Sequence, residues 1–429
     1  MSVVTPVCAP LPVLGRDVTV PLASGGETTY AALDYAASAP ALQRVWDDVA
    51  AYVPYYGSVH RGAGYLSRLS TDLFEKARAT VAAFLDCRAD DQVVFTRSTT
   101  DSLNLLAAAL PADCRVFVFE TEHHAALLPW NSARVTVLDA PRGPGEAVAT
   151  LERALADRDD PHGPALVCVT GASNVTGELW PVTELAAAAH AHGARIVLDA
   201  AQLAPHHPVS VRDLDVDWVA FSGHKLYAPF GSGVLAGRAD WLREAEPYLA
   251  GGGASRGVVR RADGGVEVRW QEGAARHEAG SPNVIGAYAI ASACTALTEA
   301  GFEALVARER YLIEKVRAGL GDLPEVRFLS LFGDDAPRVG VLSLVVDGWP
   351  SADLATALSA EYGIGVRAGL FCAHPLVRTL LDGADATCES AEGPSALRVS
   401  FGAGTPDEHV DRFVAAVRQL VSRATSPGR

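Results

Sequence analysis

A chain of 429 residues is too long for one simple core, so two domains, or one large α/β domain with an appendage, are expected. Hydrophobic residues make up 49% of it and charged residues 20%, which lets burial offset the entropy of ordering and excludes extended disorder. The formal net charge of -15 excludes nucleic acid and anionic membrane as partners, because both call for a basic surface; small molecules and basic partners remain.

The first residues, "MSVVTPVCAPLPVLGRDV", lack a basic start followed by an apolar block, and no apolar run approaches the roughly 20 residues of a membrane helix. The expected location is the cytoplasm. From about residue 65 to 240, short apolar runs alternate with helical patterns. "QVVFT", "RVFVFE", "RVTVLD", "ALVCVT", "RIVLDA" and "DWVAFSG" are apolar nearly throughout, as strands buried on both faces must be. Between them "STTDSLNLLAAAL" and "WPVTELAAAAHAHG" have helical spacing, an early Thr, Asp or Glu and, in the second, a closing glycine. A mostly parallel sheet covered by helices follows.

The stretch from Gly251 to Gly280, rich in glycine and charge, reads as a long connection at an active site or an interface. After Pro282 one or two long helices, then "VLSLVVDG", a helix from about Ala352, "GIGVRAG", "ALRVSFGAG" and a last helix near "DEHVDRFVAAVRQLVSRA" predict a smaller α+β domain. The expected division is residues 31–282 for the large domain, with 1–30 and 283–429 forming the small one. Seven cysteines, Cys8, Cys87, Cys114, Cys168, Cys294, Cys372 and Cys388, are scattered and odd in number, with no CxxC pair, so neither a disulfide framework nor a structural zinc site is indicated.

The stretch "VAFSGHKLYAPFGSGVL" sets Lys225 behind a buried strand. In an open parallel sheet, ligands collect at the carboxyl ends of the strands, and "RIVLDAAQ" delivers Asp199 to the same rim. A lysine after a strand is commonly an ordinary surface residue. Schiff-base chemistry instead needs its amine neutral, well below the usual pKa of about 10.4. Pyridoxal phosphate accounts for the pairing, because its aldehyde takes a lysine and its ring nitrogen an acidic partner. Thr99 and Thr100, where a strand turns into a helix, can collect an anion on hydroxyls and backbone N–H groups, although an ordinary N-cap looks the same.

The series "LDYAAS", "SVHRG", "TTDSLN", "ETEHHAALLPW", "GASNVTG", "LDAAQ", "FSGHKLYAPFGSG", "EAGSPN", "VRAGLFC" and "LRVSF" resembles the class V aminotransferase superfamily of fold-type I pyridoxal phosphate enzymes, and within it the cysteine desulfurase and selenocysteine lyase branch. The resemblance runs from about Leu33 to the end. It implies a fold-type I α/β architecture with a mostly parallel seven-stranded sheet, and a homodimer. It also implies roles. Lys225 carries the cofactor, Asp199 pairs with its ring nitrogen, and Gln202, with Asn174, bonds its phenolic oxygen. His123 stacks on the ring. Thr99, Thr100, Ser222 and His224 hold the phosphate, with Ser281 reaching in from a second subunit. Arg398 clamps the substrate carboxylate, and Arg367 and His60 lie on the substrate side. His124, His206, His207 and Arg61 read as structural or exposed.

The implied reaction removes sulfur or selenium from cysteine or selenocysteine to leave alanine, with a cysteine thiolate attacking the substrate sulfur and a sulfur-acceptor protein as a further partner. Cys372 stands at that position. Leu370 and Phe371 precede it where the desulfurase pattern more often has two histidines, and apolar neighbours raise a thiol pKa. Cys372 is therefore either a sulfur acceptor or a buried structural cysteine. If the latter, the same scaffold suits desulfination or β-decarboxylation, carbon–carbon bond formation or epimerisation, none of which needs a thiol.

Overall fold

The computed structural model describes residues 8–130, 134–381, 389–390 and 393–425; Cys388 lies outside them. Seven strands form the main sheet: β1 (Asp91–Thr96), β2 (Arg115–Phe119), β3 (Val135–Leu138), β4 (Ala165–Thr170), β5 (Arg195–Asp199), β6 (Trp218–Ser222) and β7 (Gly233–Arg238). Their order is β1-β7-β6-β5-β4-β2-β3. Pairing is parallel from β6 through β3, whereas β7 runs antiparallel to both β6 and β1.

Both faces of this sheet are covered, which explains the continuous apolar runs. Val167 and Val169 of β4 enter one core with Ile196, Leu198, Val219 and Phe221, while Leu166 and Cys168 enter the opposite core with Val197, Trp218 and Ala220. Two-sided burial of this kind leaves no solvent face to carry polar residues.

The Gly251–Gly280 connection contains a hairpin, β8 (Ser255–Arg260) with β9 (Val266–Trp270). A second, antiparallel sheet joins β10 (Val326–Phe328), β11 (Val341–Val346), β12 (Arg367–Gly369) and β13 (Ala396–Ser400) in the order β10-β11-β13-β12. Helices Phe302–Leu320, Ser351–Tyr362 and Asp407–Thr425 pack on it through Leu312, Val316, Leu358, Phe413 and Leu420.

Packing divides the chain near Gly301. Helix Val284–Ala300 buries Ile290, Ala293 and Leu297 in the core of the main sheet, while Ala31 and Leu33 sit in the core of the second sheet. Gly301, with φ +81°, lets the next helix leave at 83° to the first. Among the described residues no single helix is long and apolar enough to cross a membrane.

Candidate active site

The carboxyl ends of the parallel strands open into a cavity of about 460 Å³, closed on its far side by β12, β13 and the loop after β12. Lys225, Asp199, Gln202, Ser222, His224, His123, Asn174, Thr99, Thr100, Arg367, Cys372 and Arg398 all line it. Residues up to 299 positions apart in sequence thus meet because five strand ends and the second sheet converge there.

Three residues beyond β6, the half-buried Lys225 is deprived of water, and burial pulls its amine down to about 8. The Asp199 carboxylate opposes that shift and the Arg398 charge adds to it. Asp199 ends β5, accepts the Ala201 N–H at 2.9 Å and is itself raised by burial, with that hydrogen bond and the Lys225 charge working to lower it. An amine near neutrality facing a buried acid is the arrangement that a Schiff-base cofactor with a protonatable ring needs.

His123 caps the short helix His124–Leu127, its Nδ1 accepting the Ala125 N–H at 3.0 Å. Burial, followed by the charge of Lys225, lowers its pKa to about 3, so the ring is neutral and able to lie against an aromatic cofactor. At the start of helix Thr99–Ala108, Ser222 Oγ accepts the Thr99 N–H at 2.7 Å and meets Thr99 Oγ1 at 2.8 Å, while Ser98 caps the Asp101 N–H. Thr100 is exposed to the cavity in the first turn, where N–H groups are unpaired by the helix itself. Hydroxyls and a helix start together suit a phosphate. Pyridoxal phosphate therefore fits the donor set at each of its polar ends.

The opposite wall carries Arg398 on β13. Its Nη2 donates to Asp34 Oδ1 at 3.0 Å and its Nη1 to the Asn174 carbonyl at 3.0 Å, while its buried Nε has no hydrogen-bond partner. Asp34 Oδ2 also pairs with Arg367 Nε at 3.2 Å. Asn174 turns its amide to the Phe371 carbonyl at 2.8 Å and Gln202 gives its Nε2 to the Ala36 carbonyl at 2.8 Å. Cys372 is exposed at the cavity rather than buried.

Two expected site residues are elsewhere. His60 and Ser281 line a separate cavity of about 940 Å³ with Arg61, Arg78 and Glu278, and His60 Nε2 pairs with Glu75 at 2.9 Å. Ser281 was expected from a second subunit, and within its own chain it lies outside the Lys225 cavity; His60 is turned from that cavity toward helix Tyr65–Phe84 by its hydrogen bond with Glu75. Sequence reading also missed two groups. Asp34 lies in a quoted motif, but its bond to Arg398 spans 364 residues. Glu122, beside His123, is fully buried: one oxygen accepts the Thr170 N–H at 2.9 Å and the other has no partner. Burial, with the Asp199 charge adding to it, pushes this carboxyl well above its ordinary value, and its bond to Thr170 ties the end of β2 to β4.

Residues 31–413 match the family model described as aminotransferase class-V. A probable cysteine desulfurase of Vibrio cholerae is 35% identical over 401 residues, covering 91% of this chain and 93% of its own length. A cysteine desulfurase of Enterobacter sp. strain 638 is 33% identical, covering 96% of this chain and 97% of its own. Among solved structures, a cysteine desulfurase of Escherichia coli superposes with a TM-score of 0.77 at 30% identity, over 92% of this chain and 95% of that one. An apo cysteine desulfurase of Thermococcus onnurineus gives 0.80 at 29% identity, with the same two coverages. Since the family match runs through every strand of both sheets rather than through one motif, the chain belongs to the aminotransferase class V family.

Proposed function

We propose that the protein is a pyridoxal-phosphate-dependent cysteine desulfurase that takes sulfur from L-cysteine and leaves alanine, acting also on selenocysteine. The observation that carries this reading is the thiol of Cys372 exposed at the same cavity as Lys225 and Arg398. The cofactor, when bound, supplies an electron sink next to the substrate α-carbon.

Each side chain then has a task. Lys225 would be the point of covalent attachment, and its amine, neutral in part at pH 7 to 8, is the group that would move the substrate's α-proton. Asp199 would pair with the cofactor's ring nitrogen, Gln202 and Asn174 would bond its phenolic oxygen, and neutral His123 would cover its ring. Thr99, Thr100, Ser222 and His224 would hold the phosphate, with Ser281 supplied by the second subunit of a homodimer. Arg398 holds the substrate carboxylate through its planar fork, a geometry lysine lacks. Arg367, paired with Asp34, stands beside it.

Cys372 takes the sulfur. A new S–S bond forms as the substrate Cβ–S bond breaks, and the electron pair of that bond stays on the carbon fragment, which gains a proton to become alanine. Cysteine plus the Cys372 thiol thus give alanine plus a Cys372 persulfide, which a reductant or a sulfur-acceptor protein relieves. An enzyme of this kind works in the cytoplasm.

The test is turnover of L-cysteine with a thiol reductant, measured as alanine and sulfide. Equal amounts are expected, and Cys372→Ala should lower sulfide release by about two orders of magnitude or more, the usual cost of deleting a nucleophile. Full turnover by Cys372→Ala would sink the persulfide route and favour thiol-free chemistry, such as desulfination, for which the apolar flank of Leu370 and Phe371 is suited.

A further inference from the structure

The loop that carries Cys372 is fastened to the arginine of the carboxylate wall both directly and through Asn174. The Arg398 guanidinium lies over the Phe371 ring, 5.0 Å from its centroid. Arg398 Nη1 donates to the Asn174 carbonyl at 3.0 Å, and Asn174 Nδ2 donates to the Phe371 carbonyl at 2.8 Å. These three residues close a triangle, and Cys372 hangs one residue beyond its corner. The Cys372 carbonyl is held as well, by the His124 N–H at 2.7 Å.

The backbone here is strained. Phe371 has φ +52° and Cys372 φ +54°, a left-handed conformation that residues with a Cβ rarely adopt. Two such residues in succession persist only where their surroundings hold them, and the Arg398 and Asn174 contacts are that hold. The hold is also charge-dependent. A cation attracts a ring face in proportion to its uncompensated charge, and Arg398 at present shares the single carboxylate of Asp34 with Arg367. A second carboxylate arriving at Arg398 neutralises it further and competes with the contacts that now hold its guanidinium. Both changes loosen the seat of Phe371.

We propose that Phe371 is a positioning residue that couples occupancy of Arg398 to the freedom of Cys372. With Asp34 alone on the clamp, Phe371 stays seated and the thiol is restrained; a substrate carboxylate on Arg398 unseats Phe371 and lets the thiol travel to the substrate's β-substituent. The use made of the released thiol rests on the desulfurase reading, but the coupling itself does not, since it concerns only a carboxylate and a side chain's mobility.

The experiment uses the holoenzyme, L-alanine as a probe with a carboxylate but no sulfur, and iodoacetamide, with alkylation of the Cys372 peptide followed by mass spectrometry. L-Alanine should speed Cys372 alkylation about fivefold or more in the wild type, within the usual range of coupling energies. In Phe371→Leu alkylation should already be fast and indifferent to L-alanine, whereas Phe371→Tyr, which keeps the ring, should restore the response. By reciprocity, Phe371→Leu should bind L-alanine more tightly, by the same factor. A wild-type rate unchanged or lowered by L-alanine, or an equal acceleration in Phe371→Leu, overturns the proposal. Failure of the desulfurase reading is separately visible, because it would abolish sulfide release from L-cysteine while leaving the alkylation response intact.

Discussion

A lysine whose amine is held near 8 is an unusual burden on the fold and an asset to the chemistry. The unfolded chain keeps the ordinary value of 10.5, so between about pH 8 and 10.5 the unfolded state binds more protons at Lys225 than the native state does. Stability rises with pH wherever the unfolded state holds the extra proton, and below pH 8 the burden is constant and full. Cofactor-free Lys225→Met should therefore be more stable than the cofactor-free wild type at pH 7, by up to about 3 kcal/mol for a shift of this size, with the gap closing as pH approaches 10.5. Denaturant midpoints of the two apoproteins across that range check it, and a gap that widened with pH would refute it. Uptake of pyridoxal phosphate by the wild-type apoprotein, which needs the neutral amine, should accelerate through about pH 8. Lys225 and Asp199 were legible in the sequence because each ends an apolar run, and the rim of a parallel sheet is a predictable place. Asp34 and Glu122 were not, since what matters about them is a partner: Arg398, 364 residues away, and the N–H of Thr170 on another strand.

Among the elements, the apolar strands of the main sheet were read correctly and the charged hairpin was not. Six strands of the main sheet announce themselves as apolar runs, while β8 and β9 are mostly exposed, carry Arg256, Arg260, Glu267 and Arg269, and so look like a charged connection. The seventh strand, β7, depends on its first residue. Gly233 opposes both Thr96 and Ser222 in register, and a Cβ there would lie 2.6 to 2.8 Å from the backbone of Ser98. Ser98 caps the helix that presents Thr99 and Thr100 to the cavity, and backbone cannot yield as a side-chain tip can. Gly233→Ala should thus cost about 2 to 3 kcal/mol, the upper range for overpacking, and weaken cofactor binding together with stability. Gly264, at φ +89° in the β8–β9 turn with open space around it, provides the contrast: its alanine variant should cost about 1 kcal/mol through the backbone alone and leave cofactor affinity untouched. Thermal unfolding and titration with pyridoxal phosphate distinguish the two; equal effects on cofactor affinity would refute the role given to Gly233.

At the scale of the whole molecule, the site is complete only if the two sheets keep their relative position, since Lys225 follows one and Arg398 sits on the other. The segment after β4 makes that connection. Asn174 receives Arg398, the Val175 carbonyl receives Ser343 Oγ at 2.6 Å, and the Gly177 carbonyl receives the Val339 N–H at 2.9 Å. At its centre Glu178, fully buried, accepts Ser330 Oγ at 2.6 Å and the N–H groups of Leu331 and Phe332 at 2.9 and 3.0 Å, with Arg338 at 3.6 Å. One carboxylate therefore satisfies three donors of the segment that leads into β11. Glu178→Ala should destabilise the protein by about 3 to 5 kcal/mol, as for other buried charges whose partner is deleted, and Glu178→Gln, which retains one acceptor oxygen, by less. Because the donors that Glu178 accepts lie on the second sheet's side, beyond β10, Glu178→Gln should raise the KM for L-cysteine more than it lowers affinity for pyridoxal phosphate. Parallel measurement of both constants decides it: a loss confined to cofactor affinity would mean that Glu178 supports the main sheet alone, and that the two walls of the cavity are registered by some other contact.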